Sequence, residues 1–221
     1  MSLKNVISVA LGEVSNTEFP PGSNRVQYWD EYDPRMQGQP WCVCGLWWVF
    51  KHAGESSAFF GGAKTASCTT LYRWFKDQGQ TVPKEQAQAG DIVMLNFHGT
   101  NACEHCGLVV DKGEGNWVQT VEFNTSPGME GSQDNGGCVA LKIRTMAQIV
   151  GVCRPKYKEE PTMLPENDYS AHWARDEIDR AMELGLVTGY PDGTFQPDKP
   201  ITRAEAAVML LRLYDKILGV K

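Results

Sequence analysis

From Gly90 onward the apolar residues of this 221-residue chain change from a helical to a strand period, and that switch limits what its larger part can fold into. Before it, Val6, Ile7, Val9, Ala10 and Val14 carry helical spacing, and residues 15–40 read as loop. Val43, Leu46, Trp47 and Phe50 then stand at i, i+3, i+4 and i+7, with His52-Ala53-Gly54 as a stop, so Trp41 and Cys42 fall in the first turn of a helix. Thr69 to Lys76 reads as a further short helix. Five strand-like runs follow, at 91–95, 107–110, 117–122, 138–142 and 149–152. Helices first and strands afterwards predict an α+β domain built on an antiparallel sheet.

Between Arg154 and Ser170 the chain carries Pro155, Pro161 and Pro165 without apolar periodicity. A linker at 158–169 therefore separates a first domain, residues 1–157, from a tail, residues 170–221. In the tail Trp173, Ile178, Ala181 and Met182 mark one helical face. Thr202, with Glu205 three residues on, forms a capping box for a second helix. A helix–loop–helix of roughly 50 residues buries little core without neighbours.

The net charge is −6, from 27 acidic and 21 basic side chains, and the basic residues form no block, so a nucleic-acid partner is not expected. The longest apolar-leaning run, Trp41 to Phe50, is broken by Gly45 and falls far short of the ~18 residues of a membrane span. Lys4 followed by Glu13 inside the first apolar patch makes a poor signal peptide, which predicts a chain made in the cytosol. Seven cysteines, an odd number, are read as thiols rather than as a disulfide frame.

Cys42 carries the most chemical information. A thiol in the first turn of a helix faces unpaired N–H groups and the positive end of the helix dipole, both of which favour thiolate. His105, opening a strand, is the candidate base, and Glu122 or Asn124 on the next strand could orient its ring. Two other readings stand beside this one. Cys42 could be a small buried hydrophobe and His105 a satisfied strand-end histidine. Alternatively, Cys42, Cys44, Cys103, His105 and Cys106 offer enough soft ligands for a structural zinc in a non-catalytic binding protein. Cys68, Cys138 and Cys153 read as packing residues. Asp30, Glu31 and Asp33, interrupted by Arg35, read as a solvated acidic loop rather than a calcium site. Trp41 and Trp117 are candidates for lining a substrate groove.

Taken together, Asn24 to Tyr28, Pro40-Trp41-Cys42, Gly90-Asp91-Ile92-Val93, His105-Cys106-Gly107-Leu108-Val109-Val110, Val121 to Ser126 and Ile149-Val150-Gly151-Val152 resemble the CHAP family of cysteine peptidoglycan hydrolases, with the look of a phage endolysin. The resemblance covers about residues 1–157. It implies a papain-like (NlpC/P60-CHAP type) fold and cleavage of a peptidoglycan amide. Cys42 would be the nucleophile, His105 the base, and Glu122 and Asn124 orienting groups, with no cofactor and no metal. Cys44 and Cys106 depart from the small or aliphatic residues usual there, and Phe123 stands where glycine is common.

The tail has a resemblance of its own. His172-Trp173-Ala174, Gly185 to Phe195, Pro197 and Ile201-Thr202-Arg203-Ala204-Glu205 look like one S-layer homology repeat. Such repeats bind secondary cell-wall polymer, which implies Arg203 as the anchor for a carboxylate, with Asp192, Gly193 and Trp173 as weaker contacts. Their usual grouping in threes implies a homotrimer for a chain with one repeat. The expectation is a protein that accumulates in the cytosol, reaches the wall after release and cuts peptidoglycan there. Amidase and endopeptidase activities remain equally open.

Overall fold

Helix α3 (Cys42–His52) forms where the apolar spacing predicts it and is buried along most of its length. In the computed structural model, which describes residues 3–113, 115–128, 130–158 and 167–218, it is the element around which the first of two units packs. Helices α1 (Leu3–Gly12) and α2 (Gln27–Tyr32) lie against it. Helix α4 (Cys68–Asp77) follows, capped by Ser67, whose hydroxyl accepts the Thr70 N–H. The strands β1 (Thr81–Val82), β2 (Ile92–Leu95), β3 (His105–Asp111), β4 (Trp117–Thr125), β5 (Cys138–Thr145) and β6 (Ile149–Cys153) form one antiparallel sheet, ordered β1-β6-β2-β3-β4-β5. The domain is α+β.

Period-two alternation splits the sheet into two faces. Ile92, Met94, Cys106, Leu108, Val121 and Phe123 join the helices in the main core. Val93, Leu95, Val109, Val118, Ile149 and Val152 form a second cluster. Strand β5, at the edge, departs from the usual pattern: Leu141 and Ile143 are exposed, while Lys142 and Arg144 are buried.

Residues 15–40 are not all loop. Helix α2 buries Tyr28 and Trp29, but six residues are too few to show a helical repeat. Strand β1 is shorter still, two residues paired with β6.

One close approach joins α3 to the sheet. A Cβ at Gly45 would lie 2.1 Å from the Phe123 ring, so the bare backbone of α3 is what lets Phe123 of β4 seat against it. Tyr28 and Trp41 meet the same ring edge-on, with centroids at 5.3 and 6.2 Å.

The chain divides into Met1–Glu159 and Glu160–Lys221. Of the linker expected at 158–169, residues 159–166 lie outside the described ones. Its two ends are tied to the units: the Lys158 N–H donates to Glu55, and Asp168 accepts the N–H groups of Phe195 and Gln196. Tyr169 is buried, with its hydroxyl on Asp179 at 3.0 Å. Asp168 and Tyr169 therefore belong to the packing of the second unit, not to a spacer.

The second unit holds α5 (Arg175–Glu183) and α6 (Arg203–Leu218). The capping box closes as read: the Glu205 N–H donates to the Thr202 hydroxyl, and the Glu205 carboxylate accepts the Thr202 N–H at 2.8 Å. Trp173 is not on the α5 face. It precedes that helix and is 87% exposed, because α5 starts only at Arg175. No helix among the described residues is long and apolar enough to cross a membrane.

Gly45→Ala is expected to lower stability by about 1–3 kcal/mol through overpacking against Phe123, and adding Phe123→Leu to it recovers part of the loss; urea unfolding measures both.

Candidate active site

Cys42 is the first residue of α3, with Trp41 as the N-cap. The first N–H groups of the helix have no intrahelical acceptor, so the thiol stands where negative charge is favoured. Its Sγ lies 3.7 Å from the Cys68 Sγ, and Cys68 is itself the first residue of α4. Cys106, from β3, completes a group of three buried thiols whose sulfurs all lie within 4.8 Å of one another. Donation from Cys106 and Cys68, and the charge of His105, hold the Cys42 thiol well below the ordinary range despite its burial. The protons stay on the other two. Hydrogen bonding to the Cys42 and Cys68 sulfurs, then burial, pushes Cys106 up; on Cys68 the hydrogen bond with Cys106 lowers the pKa, but the hydrogen bond to Cys42 and burial outweigh it and push the thiol up.

His105 opens β3 and is fully buried, facing Cys42 on one side and Glu122 on the other. Burial alone would discharge the ring, but the thiolate and the carboxylate overcome that and raise its pKa to about 9. Its Nε2 lies 3.2 Å from Glu122 Oε2, a charge contact off the hydrogen-bond line, and neither ring nitrogen has an aligned partner among the described residues. The two shifts run in opposite directions, Cys42 down and His105 up, and each favours the charged form of its group.

Glu122 reaches the histidine because the register pairs it with Gly107. A Cβ at Gly107 would come within 2.7 Å of Glu122 Cγ, so the side chain lies across bare backbone. Arg144 of β5 grips the carboxylate with two bonds, Nε to Oε1 at 2.7 Å and Nη2 to Oε2 at 2.6 Å. The Thr120 hydroxyl donates to Oε1 at 2.7 Å. Burial would raise this carboxyl, yet Arg144 and His105 outweigh it and bring the pKa down to about 2. The Arg144 guanidinium sits 4.7 Å from the centre of the Phe97 ring, and Nη1 donates to Gln133.

Arg144, Thr120 and Cys68 were not read as site residues from the sequence. The signal for Arg144 is the reversed alternation of β5, where Lys142 and Arg144 fall on the inward positions and Leu141 and Ile143 on the outward ones. For Cys68 it is a helix start matching that of Cys42.

Several expected site residues lie elsewhere. Asn124 does not face His105. The strand register shifts between Glu122 and Thr125 and Asn124 takes φ +61°, so its amide donates to Asn135 and accepts from the Gly137 N–H. Trp41 is not an exposed groove aromatic. It is fully buried against Tyr28 and Phe123, borders a cavity of about 350 Å³, and its Nε1 has no partner among the described residues. Trp117 starts β4, five residues or about 17 Å from Glu122, against Gly113. The four-ligand zinc set does not assemble: Cys44 and Cys103 stay outside the thiol group, and Cys68 takes part instead. Asp30, Glu31 and Asp33 turn to separate partners, Gln37, Lys51 with His52, and Arg35.

In the second unit Asp192 accepts the N–H and hydroxyl of Thr194, and Gly193 takes φ +86°, so the pair makes a turn. Arg203 is exposed at the start of α6 and makes no ion pair among the described residues. A cleft of about 480 Å³ lies beside α6, lined by Tyr190, Phe195, Lys199, Glu205 and Arg212, but not by Arg203, Asp192 or Trp173.

Residues 167–207 match the S-layer homology domain. Over 48 residues the chain is 48% identical to the outer membrane protein SlpA of Deinococcus radiodurans and 52% identical to cell surface glycoprotein 1 of Acetivibrio thermocellus, in each case 22% of this chain. The match spans only 4% and 2% of those two proteins. Among solved structures, the endolysin LysIME-EF1 superposes with a TM-score of 0.47 at 20% identity, covering 72% of this chain and 66% of that one. Ly7917 superposes with a TM-score of 0.43 at 16% identity, covering 70% and 62%.

Arg144→Ala leaves the Glu122 carboxylate buried without its main counter-charge and is expected to cost about 3–5 kcal/mol in urea unfolding. Because the Glu122 pKa is depressed from 4.5 to about 2, the stability it contributes is complete above 4.5 and drains as pH falls through about 2. Unfolding curves of parent and Glu122→Gln therefore converge on acidification.

Proposed function

We propose that the chain is a cysteine peptidoglycan hydrolase of papain-like, CHAP type. A catalytic domain at 1–157 would cut an amide of the wall, and an S-layer homology repeat at 170–221 would hold it on secondary cell-wall polymer. The observation that carries the reading is the buried line of charge from Cys42 through His105 to Glu122 and Arg144. A structural core has no use for such a line, whereas acyl transfer needs a thiolate, a proton donor and a fixed ring.

In this mechanism the Cys42 thiolate attacks the scissile carbonyl. The free N–H groups at the start of α3 face the developing oxyanion. His105, protonated at neutral pH, gives its proton to the leaving amine and then takes one from the water that resolves the acyl-enzyme. Glu122 holds the imidazolium electrostatically, and Arg144 and Thr120 hold Glu122. Asn124 supports the loop that follows β4 and acts on the ring only through the strand.

The match of residues 167–207 supports attachment at the cell surface. Val208, Leu210, Leu211, Tyr214 and Ile217 of α6 are all exposed, more apolar surface than a single helix normally leaves to water, which supports association of three chains through their repeats.

Mass spectrometry of Gram-positive peptidoglycan digested by the parent is expected to show new termini that identify the bond. Cys42→Ala and His105→Ala should each lose at least about 10³-fold in rate. Full activity in either variant would refute the assignment. In sedimentation with purified walls, Arg203→Ala is expected to release the chain into the supernatant, and light scattering should give three times the chain mass; a monomer would refute the trimer.

A further inference from the structure

The three-thiol group is larger than the proposed chemistry needs. A thiolate–imidazolium pair requires one sulfur, and here two more, Cys68 and Cys106, converge on it from different elements. We propose that Cys42, Cys68 and Cys106 form a site for a thiophilic metal ion, with zinc as the reference ion, and that its occupancy reversibly blocks the hydrolase. The blocking role rests on the cysteine-hydrolase reading above; the metal site stands on its own geometry.

Tetrahedral zinc with Zn–S bonds of about 2.3 Å sets its sulfurs about 3.8 Å apart. Cys42 and Cys68 are already 3.7 Å apart, and all three sulfurs lie within 4.8 Å of one another, so ligation needs only small side-chain shifts. The three sulfurs hang from the first residue of α3, the first residue of α4 and the second residue of β3, elements locked by the main core. Two helix N-termini pointing at the group favour the negative charge that thiolate ligands carry. Hard oxygen ligands are absent from the group, and the nearby Glu122 is held by Arg144, so the donor set selects soft ions over calcium or magnesium.

The charge also balances. The group holds one thiolate and two thiols; zinc forms three Zn–S bonds, and the Cys68 and Cys106 protons leave to solvent. Two protons are exchanged for one dication, so the net charge stays at −1 beside His105 and the charge network is undisturbed. The lone pair of Cys42 is then committed to the metal and cannot attack a carbonyl. Cys44, two residues from Cys42 in sequence, stays outside.

The test begins with metal-free full-length chain titrated with zinc, bound metal being counted after dialysis, and repeated with cobalt to read the thiolate-to-metal charge-transfer band. One ion per chain is expected, with affinity reduced at least about tenfold in Cys68→Ser and in Cys106→Ala and unchanged in Cys138→Ala. Peptidoglycan cleavage, scored against each variant's own metal-free rate, should be inhibited by zinc in the parent, restored by a chelator, and less sensitive in the two thiol variants. No bound zinc, or binding indifferent to both variants, would overturn the site. A metal-free parent that fails to cleave would overturn the hydrolase reading and with it the block, while the cobalt band still decides the metal site.

Discussion

The bidentate ion pair between Glu122 and Arg144, both fully buried, is the constraint on which the rest of the first unit turns. A lone carboxylate in that position would give up its charge to a proton, and His105 would then lose one of the two negative partners that raise its pKa, the other being Cys42. With Arg144 in place the carboxylate stays ionised, the imidazolium has a counter-charge, and a negative Cys42 is tolerated inside a core. Strand β5 accommodates this by turning Leu141 and Ile143 to solvent so that Lys142 and Arg144 point inward. The inward Lys142 is satisfied by backbone carbonyls, donating to Ser126 at 2.9 Å, which leaves Arg144 as the side chain that answers Glu122.

Two glycines convert that electrostatic arrangement into a position. Gly107 lets the Glu122 side chain lie across β3 toward His105, and Gly45 lets Phe123, the next residue on β4, press against α3. Because Glu122 and Phe123 point to opposite faces of the strand, one short segment of β4 touches both the charge network and the helix that carries Cys42. The spacing of Cys42 and His105 follows from these two close approaches together with the direct contact of α3 with β3, where Cys106 meets the Cys42 sulfur.

The elements were readable because their signals are local. Helix α3 shows its i, i+3, i+4, i+7 spacing, the strands show their alternation, and Thr202 with Glu205 announces the start of α6 by chain spacing alone. Cys42 and His105 could be picked out for a related reason: each opens an element, and element starts are visible in the pattern, whereas β4 runs three residues past Glu122 to Thr125. Asn124 misled because period two would return it to the side of Glu122, and only the register shift with its positive φ turns it away. Trp41 misled because an aromatic beside a reactive residue looks like a groove wall, whereas here it fills the space between Tyr28 and Phe123.

By itself the sequence determined the α+β class, the helix start that bears Cys42 and the capping box that opens α6, since propensity, periodicity and capping act over a few residues; the repeat in the tail was legible only as a resemblance to a known family. Only the tertiary structure decided which groups meet across long separations: Arg144 on Glu122, Gly45 under Phe123, and Cys68 and Cys106 beside Cys42. These depend on strand register and on how helices settle on the sheet. Both are set by the packing of the whole core, which leaves no local mark on the chain.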